Sequence, residues 1–592
     1  MPRHHDCPAD MLKSLWLLLP SASLLVVTAL CCLATGFLLS RWASRRCSRE
    51  RIQRARIERD HVLEQMEKAV AIYKMQHGDV ASSRILSLPL MELVEQLKKG
   101  SVSLESALHV YIEKALEVTR EVNCVIDFLP ECETQLQELK KQQEKGLLYG
   151  VPISLKDNAG YKGHNSHCGL VHYLGVDEAE DSVVVQVLKK QGAIPFVKTN
   201  IPQSMINFDC SNSIYGQTLN PHNHKKTCGG SSGGEGALIA GGGAILGVGT
   251  DVLGSIRMPS SFCGICGLKP SGDRLSDLGL LNPVSGMKSA VCMPGPMARD
   301  VDSLALFMKA VLCDDLFQLD PTVPPVPFND EIYNSKRRLT IGFYDTDGYF
   351  LPHPSVRRAI QETKTLLEEA GHKLVPFTPP RIEYALNELC LKGFFADGGA
   401  TLVDKFRPDI VDPNLKQQMF LWKMPSIVKK IVSFFMRPVF PRIANHVEAH
   451  SGCSSVKDLW KHYTAIKDYR CDYLKEWRKL GLDALLCPAL GPAFNIGHPG
   501  KLFAGFSFTM LFNILNFPAG ILPVTTVTAE DEEELKHYKG YYNDPWDKEF
   551  IKGIEGGVGL PVAVQCVALQ WQEEQCLRLM KEVETVTRGH NK

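Results

Sequence analysis

Two serines and one lysine are the residues of this sequence whose types and spacing best suit catalysis. Ser231 and Ser255 lie in a glycine-rich stretch, where eleven of the 47 glycines fall between Gly229 and Gly254. Lys156 lies upstream, in the segment VPISLKDN. Glycine at this density lets the backbone approach a ligand closely and adopt positive φ angles. These residues predict a nucleophilic site built around a tight loop.

The chemistry that such a site performs depends on the protonation state of Lys156. A serine hydroxyl is a weak nucleophile, so a base must remove its proton during attack. Lys156 can be that base only when it is neutral, which requires its pKa to fall from about 10.4 to about 7–8. Apolar neighbours at Val151, Ile153 and Leu155 would provide dry surroundings. For a single lysine, a solvated surface charge is the alternative.

The elements that position these residues are predicted from short apolar runs. The runs at 149–155, 193–197, 339–344 and 484–490 indicate buried strands separated by helical segments. Strands that alternate with helices favour an α/β fold with a largely parallel or mixed sheet.

The segment 229–270 resembles the amidase signature family throughout its length, and Lys156 lies where that family places a lysine. The resemblance implies the amidase signature fold, a twisted mixed β-sheet covered by helices. It also implies a Ser-Ser-Lys triad in which Ser255 is the nucleophile, Ser231 is the bridging serine after a cis peptide bond, and Lys156 is the base. The catalytic domain is predicted to cover 96–592.

The same resemblance implies an oxyanion loop formed by backbone N–H groups of Val252, Leu253, Gly254 and Ser255. The family usually has glycine where this chain has Leu253. If that position requires a positive φ angle, leucine would strain the loop and lower activity. Ile206 also lies at a position of the acyl channel where the mammalian enzymes of the family usually have an aromatic residue. A divergent paralogue, or a weakly active membrane interaction protein, therefore remains an alternative.

The N-terminal segment is predicted to anchor the chain in a membrane. Residues 14–40 contain no charged side chain, and about 20 apolar residues suffice to cross a bilayer. Seven arginines follow between 41 and 56, which predicts that the catalytic domain is cytoplasmic. A cleaved signal peptide is the alternative, although its apolar region is usually only about 7–15 residues long.

We therefore divide the N-terminal part into a tail at 1–13, a transmembrane helix at 14–40, and a basic juxtamembrane segment with a linker helix at 41–95. The linker helix is predicted over 52–77, where apolar residues recur with helical spacing, and Gly78 is suited to end it.

A second segment, 419–447, combines aromatic and branched residues with lysines and arginines. On a helix starting near Pro425, Ile427, Ile431 and Phe434 share one face and Lys429 points away from it. Such a helix lies either in a membrane interface or against the protein core with a solvated basic edge. The pattern alone does not separate the two.

The resemblance to the fatty acid amide hydrolases of this family extends over nearly the whole chain. It implies hydrolysis of N-acylethanolamines and primary fatty acid amides, a homodimer in an endomembrane of the endoplasmic reticulum type, and a membrane-binding cap at 419–447. It further implies that Met205, Phe208 and Trp546 line the acyl channel or its entrance. Core packing is the alternative for each of these three residues.

Composition and motifs argue against other functions. Lysine plus arginine and aspartate plus glutamate number 66 each, so no basic field favours nucleic acid. The 19 scattered cysteines fit a reducing compartment. Cys263 and Cys266 form a lone C-x-x-C, and the nucleotide-binding glycine motifs are missing, so no metal or cofactor is predicted. An amidase or esterase of different acyl scope remains open, and a tRNA-linked amidase subunit is less favoured.

Overall fold

The computed structural model describes residues 8–78, 82–505 and 507–590. Residues 1–7 of the predicted N-terminal tail lie outside this range.

The centre of the molecule is a mixed sheet of eleven strands in the order β1-β3-β2-β8-β10-β9-β14-β15-β13-β11-β12. Strands β2, β3 and β8 are parallel neighbours, as are β12, β11 and β13, whereas the other pairs are antiparallel. The four predicted strand segments coincide with β2, β3, β11 and β13. The strands are β1 (Val125–Phe128), β2 (Pro152–Lys156), β3 (Ile194–Thr199), β4 (Ser211–Asn212), β5 (Gly216–Gln217), β6 (Leu219–Asn220), β7 (Asn223–Thr227), β8 (Leu246–Asp251), β9 (Cys266–Lys269), β10 (Met293–Ala298), β11 (Thr340–Phe343), β12 (Lys373–Pro376), β13 (Ala484–Pro488), β14 (Ala519–Thr526) and β15 (Pro561–Val567).

Helices pack around this sheet and enclose an extensive hydrophobic core. The predicted α/β fold, with a mixed sheet covered by helices, is confirmed. The helices are α1 (Pro8–His77), α2 (Ser82–Ser87), α3 (Leu90–Lys99), α4 (Leu104–Val122), α5 (Glu131–Leu139), α6 (Val183–Lys190), α7 (Gly233–Ala240), α8 (Arg257–Cys263), α9 (Val301–Val311), α10 (Asp314–Leu319), α11 (Asp330–Tyr333), α12 (Pro354–Glu369), α13 (Ile382–Tyr384), α14 (Lys392–Phe394), α15 (Ala400–Lys405), α16 (Lys416–Lys423), α17 (Ser426–Met436), α18 (Pro441–Ala449), α19 (Val456–Lys479), α20 (Ser507–Ile514), α21 (Ala529–Leu535), α22 (Pro545–Ile554) and α23 (Glu573–His590).

Helix α1 is continuous through the apolar segment and the linker helix, which the sequence analysis treated separately. From Val26 its apolar side chains are exposed, and it is long and apolar enough to cross a membrane. Further along, Met66, Val70 and Tyr73 are buried against the body. The helix ends at His77, and Gly78 adopts a φ of 69° as predicted.

Helix α17 presents its apolar face to solvent, contrary to the packing expected of an ordinary surface helix. Ile427 and Phe434 are each 70% exposed. Lys429 is buried, and its Nζ donates to the carbonyl oxygens of Gly398 at 3.0 Å and His450 at 2.8 Å. The expectation that Lys429 points away from the apolar face is therefore correct. Lys429 is not solvated, because carbonyl groups inside the protein accept its hydrogen bonds, whereas the neighbouring Lys430 is exposed.

Candidate active site

Lys156 is the last residue of β2, in the parallel part of the sheet, and is completely buried. Its Nζ lies 2.7 Å from Ser231 Oγ and 2.8 Å from Thr250 Oγ1. It also donates to the Thr250 carbonyl oxygen at 3.1 Å. The amine is therefore held inside the protein by neutral oxygen atoms, and the alternative of a solvated surface lysine is wrong.

The surroundings of Lys156 determine its protonation. Burial lowers the pKa of Lys156 from 10.5 to about 8, because the charged ammonium loses water, and the negative charge of Asp251 opposes part of this shift. A neutral amine is consequently present in a substantial fraction of molecules near pH 8. Proton acceptance by this side chain is then chemically feasible.

Ser231 precedes α7, and its peptide bond with Gly230 is cis, as the resemblance implied. Its side chain is buried and contacts Lys156 on one side. On the other side it lines a narrow cavity, which Ser255 also lines. The N–H of Ser232 donates to the carbonyl oxygen of Ser255 at 3.0 Å and so joins the two serine-bearing segments.

The loop between β8 and α8 wraps around the carboxylate of Asp251. The N–H of Gly254 donates to Asp251 Oδ1 at 2.8 Å, and the N–H of Ile256 donates to Oδ2 at 3.1 Å. The N–H group of Gly254, which was predicted to bind the oxyanion, is therefore already hydrogen-bonded to this carboxylate. In the described part of the chain, the N–H groups of Val252, Leu253 and Ser255 have no acceptor. These three groups are the ones that remain available to stabilise an oxyanion.

Arg257 fixes the same carboxylate. Its Nη2 lies 3.1 Å from Asp251 Oδ1, and both side chains are completely buried. Burial by itself would raise the pKa of Asp251, but the guanidinium outweighs this effect and holds the pKa well below its usual range. A permanently ionised Asp251 thus keeps the loop in one conformation.

Leu253 does not carry the strain expected from its departure from the family pattern. The left-handed conformation falls at Gly254, with a φ of 127°, and not at Leu253. The Leu253 side chain is buried in the core, and its carbonyl oxygen accepts a hydrogen bond from Thr509 Oγ1 at 2.8 Å. The expectation of a strained loop is therefore wrong, because glycine occupies the position that needs it.

Much of the remaining cavity wall is apolar. Met205 lines it, as expected for an acyl-binding residue. Phe208 is buried but does not contribute to this lining. Trp546 also lies outside it, where it packs against the His446 ring at 5.2 Å and the Arg442 guanidinium at 5.3 Å. The other apolar lining residues are Ile206, Val252, Pro283, Val284, Met287 and Phe394.

Two residues near Lys156 were not singled out from the sequence. Thr250 binds the amine through its hydroxyl and its carbonyl group. Glu235 is buried in α7 and accepts from Ser154 Oγ at 2.5 Å and from Thr199 Oγ1 at 2.8 Å. Burial raises the pKa of Glu235 to about 7. The sequence did contain a signal for Glu235, because it is a charged residue among the small residues of the glycine-rich motif.

Comparison with known proteins identifies the family of this chain. The family model described as Amidase matches residues 106–577. The chain is 50% identical over 558 residues to fatty-acid amide hydrolase 1 of Sus scrofa, covering 94% of this chain and 96% of that protein. It is 59% identical over 429 residues to the vitamin D3 hydroxylase-associated protein of Gallus gallus, covering 72% of this chain and 92% of that protein.

A solved structure of a fatty acid amide hydrolase superposes with a TM-score of 0.76 at 24% identity, covering 91% of this chain and 95% of that one. This similarity shows that the two share a fold. Together with the family match over most of the sequence, it confirms the resemblance found in the glycine-rich segment. The chain belongs to the amidase family and is an amide-hydrolysing enzyme.

Proposed function

We propose that this protein is a membrane-anchored serine hydrolase that cleaves fatty acid amides to a fatty acid and an amine or ammonia. The observation that carries the proposal is the 2.7 Å contact between Lys156 Nζ and Ser231 Oγ, inside a buried site whose cavity Ser255 shares. Similarity to the fatty-acid amide hydrolase of Sus scrofa supports the lipid amide class of substrate.

In the proposed reaction, Ser255 Oγ attacks the amide carbonyl carbon while its proton passes to Ser231 Oγ, whose own proton passes to neutral Lys156. The N–H groups of Val252, Leu253 and Ser255 stabilise the oxyanion. The C–N bond then breaks as the leaving nitrogen receives a proton from Ser231, which is reprotonated by Lys156. Water hydrolyses the acyl-enzyme ester by the same relay in reverse.

The apolar wall supports an acyl substrate. Each methylene group that leaves water contributes roughly 0.8 kcal/mol. Met205, Ile206 and Met287 offer flexible or branched apolar contacts for such a chain. We therefore infer that the acyl group binds along this wall, with the amide bond at Ser255.

Two surfaces support attachment to a membrane. The apolar part of α1 is exposed and has the length and composition of a membrane span. The exposed apolar face of α17 supports the predicted cap at 419–447, since an amphipathic helix can insert this face between lipid headgroups. The arginines after residue 40 support a cytoplasmic catalytic domain on an endomembrane. The homodimer stays a prediction, which sedimentation in detergent would test.

The test uses the full-length protein with oleamide and N-oleoylethanolamine. We expect turnover of both substrates by the wild type and none by Ser255→Ala. An alkyl fluorophosphonate should label the wild type, and Ser255→Ala should abolish labelling. Ser182→Ala is the matched control, because Ser182 is also a buried serine but does not line the cavity. A folded wild type that turns over neither lipid amide would contradict the proposal.

A second candidate is an amidase for shorter acyl chains. The enclosed space of the cavity is about 20 Å³, far below the range of about 300–1,000 Å³ typical of ligand sites, which favours a smaller substrate. Rates across primary amides of increasing chain length separate the candidates. A lipid amidase should gain in kcat/KM with each methylene added, whereas a short-chain amidase should not.

A further inference from the structure

Ser204 is a polar residue of the catalytic cavity for which the proposed mechanism has no use. It lies in a short 3-10 segment, Gln203–Met205, and is 1% exposed. Its side chain lines the cavity shared by Ser231 and Ser255. Among the described residues, its Oγ has no hydrogen-bond partner. A buried hydroxyl without a partner is destabilising, and a hydrogen-bonding group of a bound ligand would satisfy it.

The backbone holds this hydroxyl in an unusual conformation. Ser204 and Met205 are consecutive non-glycine residues with φ angles of 63° and 59°. Such conformations are strained for residues other than glycine and persist where the surrounding structure enforces them, often at ligand-binding sites. Here the N–H of Ser204 donates to the Cys168 carbonyl at 2.8 Å, and the N–H of Met205 donates to the Pro202 carbonyl at 2.9 Å.

The preceding residue, Gln203, fastens the segment to a distant part of the chain. Its Nε2 donates to Asp409 Oδ1 at 2.9 Å and to the Ile410 carbonyl at 3.0 Å. Its Oε1 accepts from the Asp412 N–H at 2.7 Å. These contacts of the Gln203 side chain, together with the backbone hydrogen bonds of Ser204 and Met205, therefore hold the Ser204 side chain at the cavity wall.

The other hydroxyl and amide groups of the cavity wall have partners or a proposed role. Ser231 and Thr250 both bind Lys156, and Asn282 Oδ1 accepts from the Val284 N–H at 3.1 Å. Ser255 is the proposed nucleophile. Buried hydroxyls without partners occur elsewhere among the described residues, for example at Ser182, but these do not line the cavity. Ser204 is thus the lining hydroxyl that remains for substrate recognition.

We propose that Ser204 is a specificity residue whose hydroxyl oxygen accepts a hydrogen bond from the N–H of the scissile amide, and that it favours amides over esters. An ester presents an oxygen atom at the same place and has no proton to donate. A site that hydrogen-bonds one group rejects the analogue that lacks it. This inference rests on the proposed function for the placement of the amide beside Ser255.

The experiment compares N-methyloleamide with methyl oleate, which differ only in the N–H group. For full-length Ser204→Ala, we expect kcat/KM for the amide to fall about tenfold, which corresponds to about 1.4 kcal/mol, and kcat/KM for the ester to change less than twofold. Ser204→Gly removes the same hydroxyl but suits the left-handed backbone. It should show the same selective loss, and it provides a folded variant if Ser204→Ala is unstable.

Three results would overturn the inference. An equal loss on amide and ester would assign Ser204 a structural role, and unchanged amide rates would remove any role in recognition. Wild-type amide rates in Ser204→Gly would show that backbone strain, and not the hydroxyl, matters. Ser182→Ala serves as the control for loss of an unpaired buried hydroxyl. The same pair with hexanoyl chains keeps the test valid if the lipid substrate class fails, because wild-type rates on long chains report that failure separately.

Discussion

At the scale of single residues, the site combines a buried amine with a fixed carboxylate. Lys156 is surrounded by neutral oxygens, whereas Asp251 at the end of β8 lies against Arg257 at the start of α8. The first arrangement favours the neutral form of a base, and the second keeps an acid permanently ionised. The two groups, one in contact with Ser231 and the other in the loop that carries Ser255, are thereby tuned in opposite ways by their surroundings.

The protonation of Lys156 predicts the pH dependence of catalysis. Because burial lowers its pKa to about 8 and only the neutral amine accepts a proton, kcat/KM for an amide should rise as pH increases through about 8 and then level off. Initial rates between pH 6 and 10, roughly spanning this pKa, will test this. Lys156→Ala should be much less active and should lose this rise. A wild-type profile that falls across the same interval would contradict a neutral lysine base.

Substitutions at two neighbouring residues of the oxyanion loop should have different effects, one on catalysis and the other on the stability of the fold. Gly254→Ala should reduce kcat strongly, because the φ of 127° disfavours alanine and the added Cβ would lie 2.5 Å from Thr509 Oγ1.

Leu253→Ala should instead destabilise the fold by about 2–5 kcal/mol, as is usual for truncation of a buried leucine. Chemical denaturation and amide turnover measure the two effects. Leu253→Gly should give no gain in kcat, and a clear gain would show that the leucine does impair the loop.

At the scale of elements, a buried arginine attaches the helices of the segment 419–447 to the rest of the protein. Arg442 of α18 lies 3.0 Å from Asp547 Oδ1 of α22, and its Nε lies 2.9 Å from Asp544 Oδ2. Aromatic rings of Tyr542 and Phe350 cover the guanidinium at 4.4 and 4.8 Å. These contacts fix α18 and thereby hold the neighbouring α17 in place with its apolar face outward.

Removal of the Arg442 charge should loosen this attachment. Arg442→Met would leave two buried carboxylates without their cation, which typically costs about 3–5 kcal/mol. Chemical denaturation should show this loss, and limited proteolysis should cut between α17 and α18 sooner than in the wild type. Arg437→Met is the matched control, because Arg437 pairs with Glu448 at the surface and such pairs contribute only about 0–1 kcal/mol. Equal effects of the two changes would refute the buried attachment.

The outward face of α17 predicts membrane binding. Phe434→Ser together with Ile427→Ser should weaken sedimentation with phosphatidylcholine vesicles, because two exposed apolar side chains no longer enter the interface. The measurement needs a chain without residues 1–40, so that α1 does not dominate the binding. Val456→Ser with Trp460→Ser, two exposed apolar residues on α19, is the control pair. Unchanged vesicle binding of the α17 variant would argue against a membrane-binding cap.

At the scale of the whole molecule, α1 links a catalytic body to an exposed apolar helix. The residues from Ile52 onward pack on the body, whereas the apolar residues from Val26 have no protein surface against them in the described chain. An apolar helix of this length is stable in a bilayer because its backbone groups are satisfied internally. One part of α1 therefore packs on the protein, and the other part has the apolar surface that suits lipid.

This division predicts how the protein partitions. The full chain should remain with membranes after extraction at alkaline pH, whereas a chain that starts at residue 41 should be released by it, because only a spanning helix resists this treatment. Immunoblots of pellet and supernatant will measure the effect. Amide turnover by the released chain checks that the body has folded. Retention of the shortened chain in the pellet would assign the anchoring to another surface.

The amide-hydrolysing class of enzyme and the α/β fold could be predicted from local features of the sequence. The glycine-rich segment with Ser231 and Ser255, the upstream Lys156 and the alternation of apolar runs with helical spacing are local features, readable because strand and helix periodicity and motif spacing are written along the chain. Four predicted strand segments and the linker helix follow from the same signals. The sequence showed that Leu253 departs from the family pattern, but it did not show whether the leucine strains the loop.

The burial of individual side chains and the identity of their partners became visible in the three-dimensional structure alone. The burial of Lys156 depends on Ser231 and Thr250, which are far from it in sequence. Lys429 turns inward because carbonyl groups of Gly398 and His450 meet it there. The left-handed angle at Ser204 depends on contacts with a segment about 200 residues away. The physical reason is common to all three: desolvation and hydrogen-bond satisfaction are set by neighbours in space, which local sequence patterns do not specify.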